Sequence, residues 1–198
     1  MALELVAADL SDEAALIAAC IRGDGNAQRT LFRREYDRVF RTISRIIGAH
    51  RDVDDLLQET FVTVFRALPK FRQEAKLATW IDRIAVRVVF HHLRGKKPKL
   101  VSFDSIDDVD DRGNRVDERA HAREGLRRLY AVLAELTPDA RAAYALYAID
   151  GRTIAEVAQL TGTSVIAAKV RIWRARREVM RHAESDPVLS ELVKVKKS

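Results

Sequence analysis

The stretch from Thr153 to Arg177, TIAEVAQLTGTSVIAAKVRIWRARR, constrains the fold more than any other. Thr153 followed three residues later by Glu156 is a capping box, which starts a helix by satisfying two orphan backbone donors. Ile154, Val157, Ala158 and Leu160 then put apolar groups on one side of two turns. Gly162, within Thr161-Gly162-Thr163, ends that helix in a left-handed conformation without a Cβ penalty. Ser164 caps a second helix with an inward stripe of Val165, Ala168, Ile172 and Ala175. Its polar side carries Lys169, Arg171, Arg174, Arg176, Arg177 and Arg181 against one acid, Glu178. Short helix, tight glycine turn and basic helix make a helix-turn-helix, whose second helix enters the DNA major groove. The alternative is a helical hairpin with a solvated cationic face. Thr161 stands where a larger apolar residue is common, and Ala168 is small for a core position.

With 198 residues there is room for one medium or two small domains. A hydrophobic share of 47% is ample for a core, and 32% charged residues keep the surface wet. The formal charge of +6 and pI near 9.7 favour a polyanionic partner. The one cysteine, Cys20, lies in the apolar run AALIAACI and reads as a small core residue, with no disulfide possible within one chain. No apolar run approaches the ~20 residues of a membrane-spanning helix, and the N-terminus MALELVAADLSDE is acidic where a signal peptide is basic. A cytoplasmic protein without membrane insertion is expected.

Helical spacing continues through the rest of the chain, and the expected fold class is all-α. A short helix runs from Ala14 to Ile21. Asn26 is expected to cap the next, which reaches Gly48 on a stripe of Phe32, Tyr36, Val39, Phe40, Ile43, Ile46 and Ile47. From Asp52 to Leu68 the apolar positions Val53, Leu56, Leu57, Phe61, Val64, Phe65 and Leu68 recur without a miss. The other face of that helix shows Asp54, Asp55, Gln58, Glu59 and Val62, and Pro69 ends it. A fourth helix from Leu77 to Arg94 turns Leu77, Trp80, Ile81, Ile84, Ala85, Val88 and Val89 inward. Lys76, Arg83, Arg87, His91 and Arg94 line its outside. Arg66 to Lys99 holds ten basic residues and two acids, a second cationic surface with Phe71 and Trp80 interleaved. The boundaries that follow are a helical domain over 10–95, a flexible acidic linker over 96–119, and a second helical domain over 120–183. The linker carries Asp104, Asp107, Asp108, Asp110 and Asp111. In the second domain one helix runs from Arg119 to Leu136. Thr137-Pro138 starts another, which Asp150-Gly151 ends. Residues 184–198 read as an appendage of no legible purpose.

Catalytic patterns are missing. There is no phosphate-cradling glycine loop and no nucleophile elbow. His50, His91, His92, His121 and His182 have no partner at metal-ligand spacing, and adjacent His91-His92 point about 100° apart on a helix. The acid pairs Asp54-Asp55 and Asp107-Asp108 lack the dry pocket that perturbs a carboxylate. No enzyme, no cofactor and no metal are expected.

At this point the motifs resemble a known family. Asp52-Val53-Asp54-Asp55-Leu56-Leu57-Gln58-Glu59-Thr60-Phe61, Arg66-Ala67-Leu68-Pro69-Lys70-Phe71-Arg72, Thr79-Trp80-Ile81-Asp82-Arg83-Ile84-Ala85 and His92-Leu93-Arg94 resemble region 2 of bacterial sigma-70 family sigma factors, in the extracytoplasmic-function (ECF) group. Leu136-Thr137-Pro138, Gly151-Arg152-Thr153, Glu156-Val157-Ala158, Gly162 and Lys169-Val170-Arg171-Ile172-Trp173-Arg174-Ala175-Arg176 resemble its region 4. The likeness covers roughly residues 14–180, in matching order and separation.

The resemblance implies a role for each surface. Asp54, Asp55, Gln58, Glu59 and Val62 would dock on the β′ clamp helices of RNA polymerase core, with the β flap as a further contact. Phe71, Arg72, Lys76, Thr79, Trp80, Arg83, Arg87, His91 and Arg94 would bind and open the -10 promoter element, where aromatic and arginine side chains stack on unpaired bases of the non-template strand. Trp80 also fits the core by spacing. Arg87 stands where the family commonly has Asn. Ser164, Ile166, Ala167, Lys169, Val170, Arg171, Trp173, Arg174 and Arg177 would meet the -35 element as duplex DNA. Tyr147 lies where some members place a basic phosphate contact. A cognate anti-sigma factor is a further implied partner. The implied function is an alternative sigma factor that directs promoter recognition, melting and initiation. The competing readings are a stand-alone helix-turn-helix regulator and a sigma-like adaptor for another protein.

Overall fold

The structure, a computed structural model, describes residues 2–48, 50–95 and 116–195. Among them every regular element is helical. The first half holds α1 (Ala2–Ile21), α2 (Gly25–Ile47), α3 (Val53–Ala67) and α4 (Leu77–Gly95), with a 3₁₀ turn Leu68–Lys70 after α3. The second half holds α5 (Val116–Glu135), α6 (Pro138–Tyr144), α7 (Ile154–Thr161), α8 (Val165–Ala183) and α9 (Pro187–Val195). A π-helical turn, Ala145–Ile149, continues α6. No helix is long and apolar enough to cross a membrane among the described residues.

Several local expectations need correction. Asp24, not Asn26, caps α2: its Oδ1 accepts from the Asn26 and Ala27 N–H groups at 2.8 and 3.2 Å. Those hydrogen bonds pull the Asp24 pKa below its usual value. Helix α1 starts twelve residues before Ala14, and α5 starts at Val116, ahead of the expected boundary. Residues 96–115, where the acidic linker was expected, lie outside the described ones. The appendage is a helix: α9 packs on α5 and α8, burying Leu189 and seating Leu192 over Gly125. The apolar Leu189, Leu192 and Val193 of that tail carry this contact.

Helices α2, α3 and α4 pack pairwise as a bundle, with α1 along α2. The helices of the second half gather around α8. The two halves share a core, since α4 packs on α6 and α7 and α2 meets the π-helical turn. Leu31, Ile43, Ile81 and Val89 of the first half lie in one apolar cluster with Leu146, Val157 and Ile172 of the second.

The seam between the halves is sealed by polar groups at apolar positions. Arg141 is 4% exposed, and its Nε and Nη2 donate to the carbonyls of Ile46 and Ile47 at 3.0 and 2.9 Å. Those carbonyls belong to the last turn of α2, where the helix dipole favours a cation. Burial pushes the Arg141 pKa down from its usual value. The Tyr130 hydroxyl donates to the Arg45 carbonyl at 2.9 Å, and its ring lies against Gly48. Gly48 sits at φ +75, and a Cβ there would come within 2.9 Å of that ring. Only glycine serves both the backbone and the packing. A chain of ion pairs runs along the same seam. Glu35 pairs with Arg38, Arg38 with Asp82, Asp82 with Arg152, Arg152 with Asp150 and Asp150 with Arg45. The links from Arg152 to Asp82 and from Asp150 to Arg45 join the two halves. Burial raises the Asp82 pKa, against the opposing pull of Arg38 and Arg152.

Candidate nucleic-acid interface

The helix-turn-helix is built as its caps dictate. The Thr153 hydroxyl accepts from the Glu156 N–H at 3.2 Å, and the Glu156 carboxylate accepts from the Thr153 N–H at 2.8 Å, closing the capping box. The same contacts lower the Glu156 pKa. Gly162 ends α7 at φ 64, ψ 36. Ser164 caps α8 by accepting from the Ala167 N–H at 3.2 Å. Ala168, Ile172 and Ala175 point inward as expected. Val165 does not. It is 53% exposed, in the first turn of α8.

The outward side of α8 is unusually apolar for a wet surface. Ile166 is 77% exposed, Trp173 58% and Val170 40%. Lys169, Arg174 and Arg177 are exposed among them, with Ser164 at the start of the helix, while Ala167 and Arg171 are half-buried. The Arg177 guanidinium lies 5.5 Å from the centroid of the Trp173 ring, a cation–π arrangement. Eight of the nine residues singled out for duplex DNA thus lie on α8, and the ninth, Ser164, caps it. Tyr147 is exposed in the turn before α7.

The second cationic surface follows α4 and the connection before it. Arg72, Lys76, Arg87, His91 and Arg94 are exposed, while Phe71, Thr79, Trp80 and Arg83 are half-buried. Phe71 and Trp80 pack ring against ring at 4.9 Å. Trp80 is half-buried and packs against the core, as its spacing also suggested. Arg83 is less open than its helical spacing suggested, and its Nε is buried without a hydrogen-bond partner. On α3, Asp54, Asp55, Gln58, Glu59 and Val62 are all exposed on one flank, with Val62 at 40%.

The two cationic surfaces meet at one acid. Arg94 Nη2 lies 3.5 Å and Arg171 Nη1 3.9 Å from the same Asp139 Oδ1. This juxtaposition is invisible in the sequence, as is the burial of Asp82 of α4, which pairs with Arg152 of the second half. The histidines read as partnerless also find company. His50 and His92, forty-two residues apart, converge on Asp52.

Comparison with known proteins shows the family. The family model for Sigma-70 region 2 matches residues 31–98, and that for Sigma-70, region 4 matches residues 126–179. The ECF RNA polymerase sigma-E factor of Salmonella typhimurium is 30% identical over 173 residues, covering 83% of this chain and 90% of the relative. The chain belongs to the sigma-70 family, in its ECF group. It is therefore an alternative sigma factor, a subunit that directs transcription initiation, and not a stand-alone regulator. Among solved structures, CnrH in complex with the cytosolic domain of CnrY matches with a TM-score of 0.58 at 26% identity, over 87% of this chain and 97% of that one. The sigma factor RpoE of Bartonella quintana, solved in complex with the anti-sigma factor NepR, has the same fold, with a TM-score of 0.56 at 19% identity over 84% and 96% of the two chains.

Proposed function

We propose that this sigma factor reads the -35 element through α8, reads and opens the -10 element through α4 and the connection before it, and docks on polymerase core through the open flank of α3. The observation that carries this division is the outward face of α8. Ile166, Val170 and Trp173 stand exposed between Lys169 and Arg174, a surface that costs free energy in water and gains it against thymine methyls and phosphates. Arg72, Lys76, Arg87 and Arg94 hold phosphates along α4 without reading sequence. The Phe71–Trp80 pair supplies a stacking platform for a flipped base. Asp54, Asp55 and Glu59 beside exposed Val62 suit a basic, partly apolar partner such as the β′ clamp helices, with the β flap meeting the second half. Bond formation stays with the polymerase, and this chain contributes no chemistry of its own. Its place of action is the cytoplasm, at the nucleoid when bound to polymerase.

The seam adds a step to this function. The -10 and -35 elements lie about 25 base pairs apart, or ~85 Å of duplex at 3.4 Å per base pair. Arg94 and Arg171 share a single carboxylate oxygen in the arrangement described above. One rigid body of this shape cannot place both arginines on their elements at once. The closed arrangement is thus a resting form whose seam parts before promoter binding, and a cognate anti-sigma factor acts by favouring it or covering its faces. Relatives solved with such partners support that last role.

In vitro transcription from genomic fragments, with core polymerase and with or without this protein, tests the reading. New start sites sharing a spaced two-part upstream sequence are expected. An absence of new transcripts, with tight DNA binding that needs no core, would overturn it.

A further inference from the structure

His50 lies in the turn before α3, Asp52 at the start of that helix and His92 near the end of α4. One donor atom from each lies within 4.8 Å of the other two. His50 Nδ1 is 3.7 Å and His92 Nε2 3.3 Å from the same carboxylate oxygen, Asp52 Oδ2. Donor atoms held at ~2.0–2.1 Å by a tetrahedral metal stand about 3.3 Å apart, so both distances are close to edges of such a site. Two details favour a cation there over a simple helix cap. Asp52 occupies the N-cap position, where its side chain would normally accept from the first turn, yet it makes no such bond. Its carboxylate turns to the two rings instead. His50 Nδ1 accepts from the Asp52 N–H at 3.2 Å, so this nitrogen is unprotonated, and an ion would take its one lone pair in place of that hydrogen bond. The side chains are 12–16% exposed, which leaves the donors nearly dry with a narrow way in. Arg51 Nε engages only the other oxygen, Asp52 Oδ1, at 3.5 Å.

We propose that His50, Asp52 and His92 form a binding site for a borderline divalent cation of the zinc class, with water completing the coordination. Two imidazoles and one carboxylate select such ions over magnesium or calcium, which prefer oxygen throughout. Bound there, the ion ties the α2–α3 turn to the end of α4 that carries His91 and Arg94. The site stiffens the terminus of the helix assigned to the -10 element without touching DNA.

Titration of the metal-free full-length chain with Co²⁺ tests this directly. One equivalent should bind, with the strong visible absorption of low-coordinate cobalt, and Zn²⁺ should displace it. His50→Gln and His92→Gln should each weaken binding at least about tenfold, whereas His91→Gln and His182→Gln should leave it unchanged. Saturating Zn²⁺ should also raise the melting temperature of the wild-type chain, reversibly on chelation. Ring-nitrogen NMR of that chain with and without Zn²⁺ keeps the test independent of how the variants fold. Shifts confined to His50 and His92 are expected. No saturable binding, or binding that perturbs His121, His182 or the chain terminus instead, would overturn the site.

Discussion

The seam between the halves and the outward face of α8 treat polarity in opposite ways. Along the seam Arg141, Asp82 and Tyr130 are buried; Arg141 Nε and Nη2, the Tyr130 hydroxyl and Arg152 find acceptors across it, while Arg141 Nη1 is buried without one. On α8, Ile166, Val170 and Trp173 are exposed where a solvated helix would place charge. Buried polar groups are tolerated when they are hydrogen-bonded, and contiguous exposed apolar groups mark a surface made for something else. The seam thus finds most of its polar partners within the chain, whereas the face of α8 leaves its apolar groups open, as the proposed DNA contact would use them. The seam joins a chain of ion pairs to an apolar cluster, and only the apolar part resists parting outright. The seam's charges regain water when it opens, which offsets part of the loss.

Breaking the seam should have the largest effect on the protein itself. Gly48→Ala places a Cβ against the Tyr130 ring at a positive φ, and a loss of about 3 kcal/mol is expected from strain and overlap together. Chemical denaturation measures it, and a loss below about 1 kcal/mol would mean the ring simply moves aside. Arg141→Ala should follow at about 2 kcal/mol, since it strips two hydrogen bonds from the end of α2. If the closed arrangement is the resting form, Arg141→Ala should also expand the free protein in small-angle scattering while leaving each half helical by circular dichroism. An unchanged radius would separate the stability of the seam from its role in closure.

This same contrast explains how far the sequence could be read. Helix existence, the capping box at Thr153, the glycine turn at Gly162 and the flank of α3 were all legible, because each follows from local periodicity or cap chemistry. The candidate faces on α4 and α8 were legible too, since charge and spacing mark an outward side without knowledge of the rest. What escaped was long-range. The burial of Asp82 and Arg141 was not legible, because the partners that bury them lie 70 and about 95 residues away in the chain. Val165 read as core, because nothing local tells an open first turn from a packed one. The tail read as featureless, because its short apolar set acquires meaning only against Gly125 and Leu129 of α5. His50 and Asp52 meet His92 for the same reason: tertiary structure, not spacing, brings them together.

Substitutions on α8 sharpen the comparison from the other side. Arg174→Ala should weaken binding to promoter DNA by about 1–3 kcal/mol if the guanidinium meets a guanine edge, with relaxed sequence preference at that position. If it meets phosphate, the loss should be uniform across sequences and lower the salt dependence by about one counterion. Binding by holoenzyme to permuted promoters at two salt concentrations distinguishes the two. Trp173→Ala should weaken promoter binding as well, yet alter folding stability by no more than about 0.5 kcal/mol, because the ring is largely open. A large loss of stability from that change would mean the ring is structural and the face less open than it stands.

Acid provides the smallest and most selective probe. The Arg127 and Arg128 guanidinium groups hydrogen-bond Glu124 and hold its pKa at about 2, below the usual 4.5. A carboxylate with a depressed folded value contributes stability that is present above pH 4.5 and is lost as pH falls toward 2. That pairing lies on the open surface of α5, so salt screens it and the effect is small. Asp82 behaves in the opposite sense. Burial raises its folded value above the ordinary 3.8, so the native state binds a proton more readily than the unfolded chain does. Acidification through that window relieves the cost of keeping the buried carboxylate charged, although a protonated Asp82 also releases Arg38 and Arg152. Glu124→Gln should therefore flatten the acid limb of the stability–pH curve slightly, and high salt should mimic it. Asp82→Asn should instead lower stability near neutral pH, where both arginines lose their buried partner, with the deficit widening in acid, because only the wild-type chain gains stability there by taking up a proton. Parallel acid limbs for Asp82→Asn and the wild-type chain would show that Asp82 does not titrate within the seam.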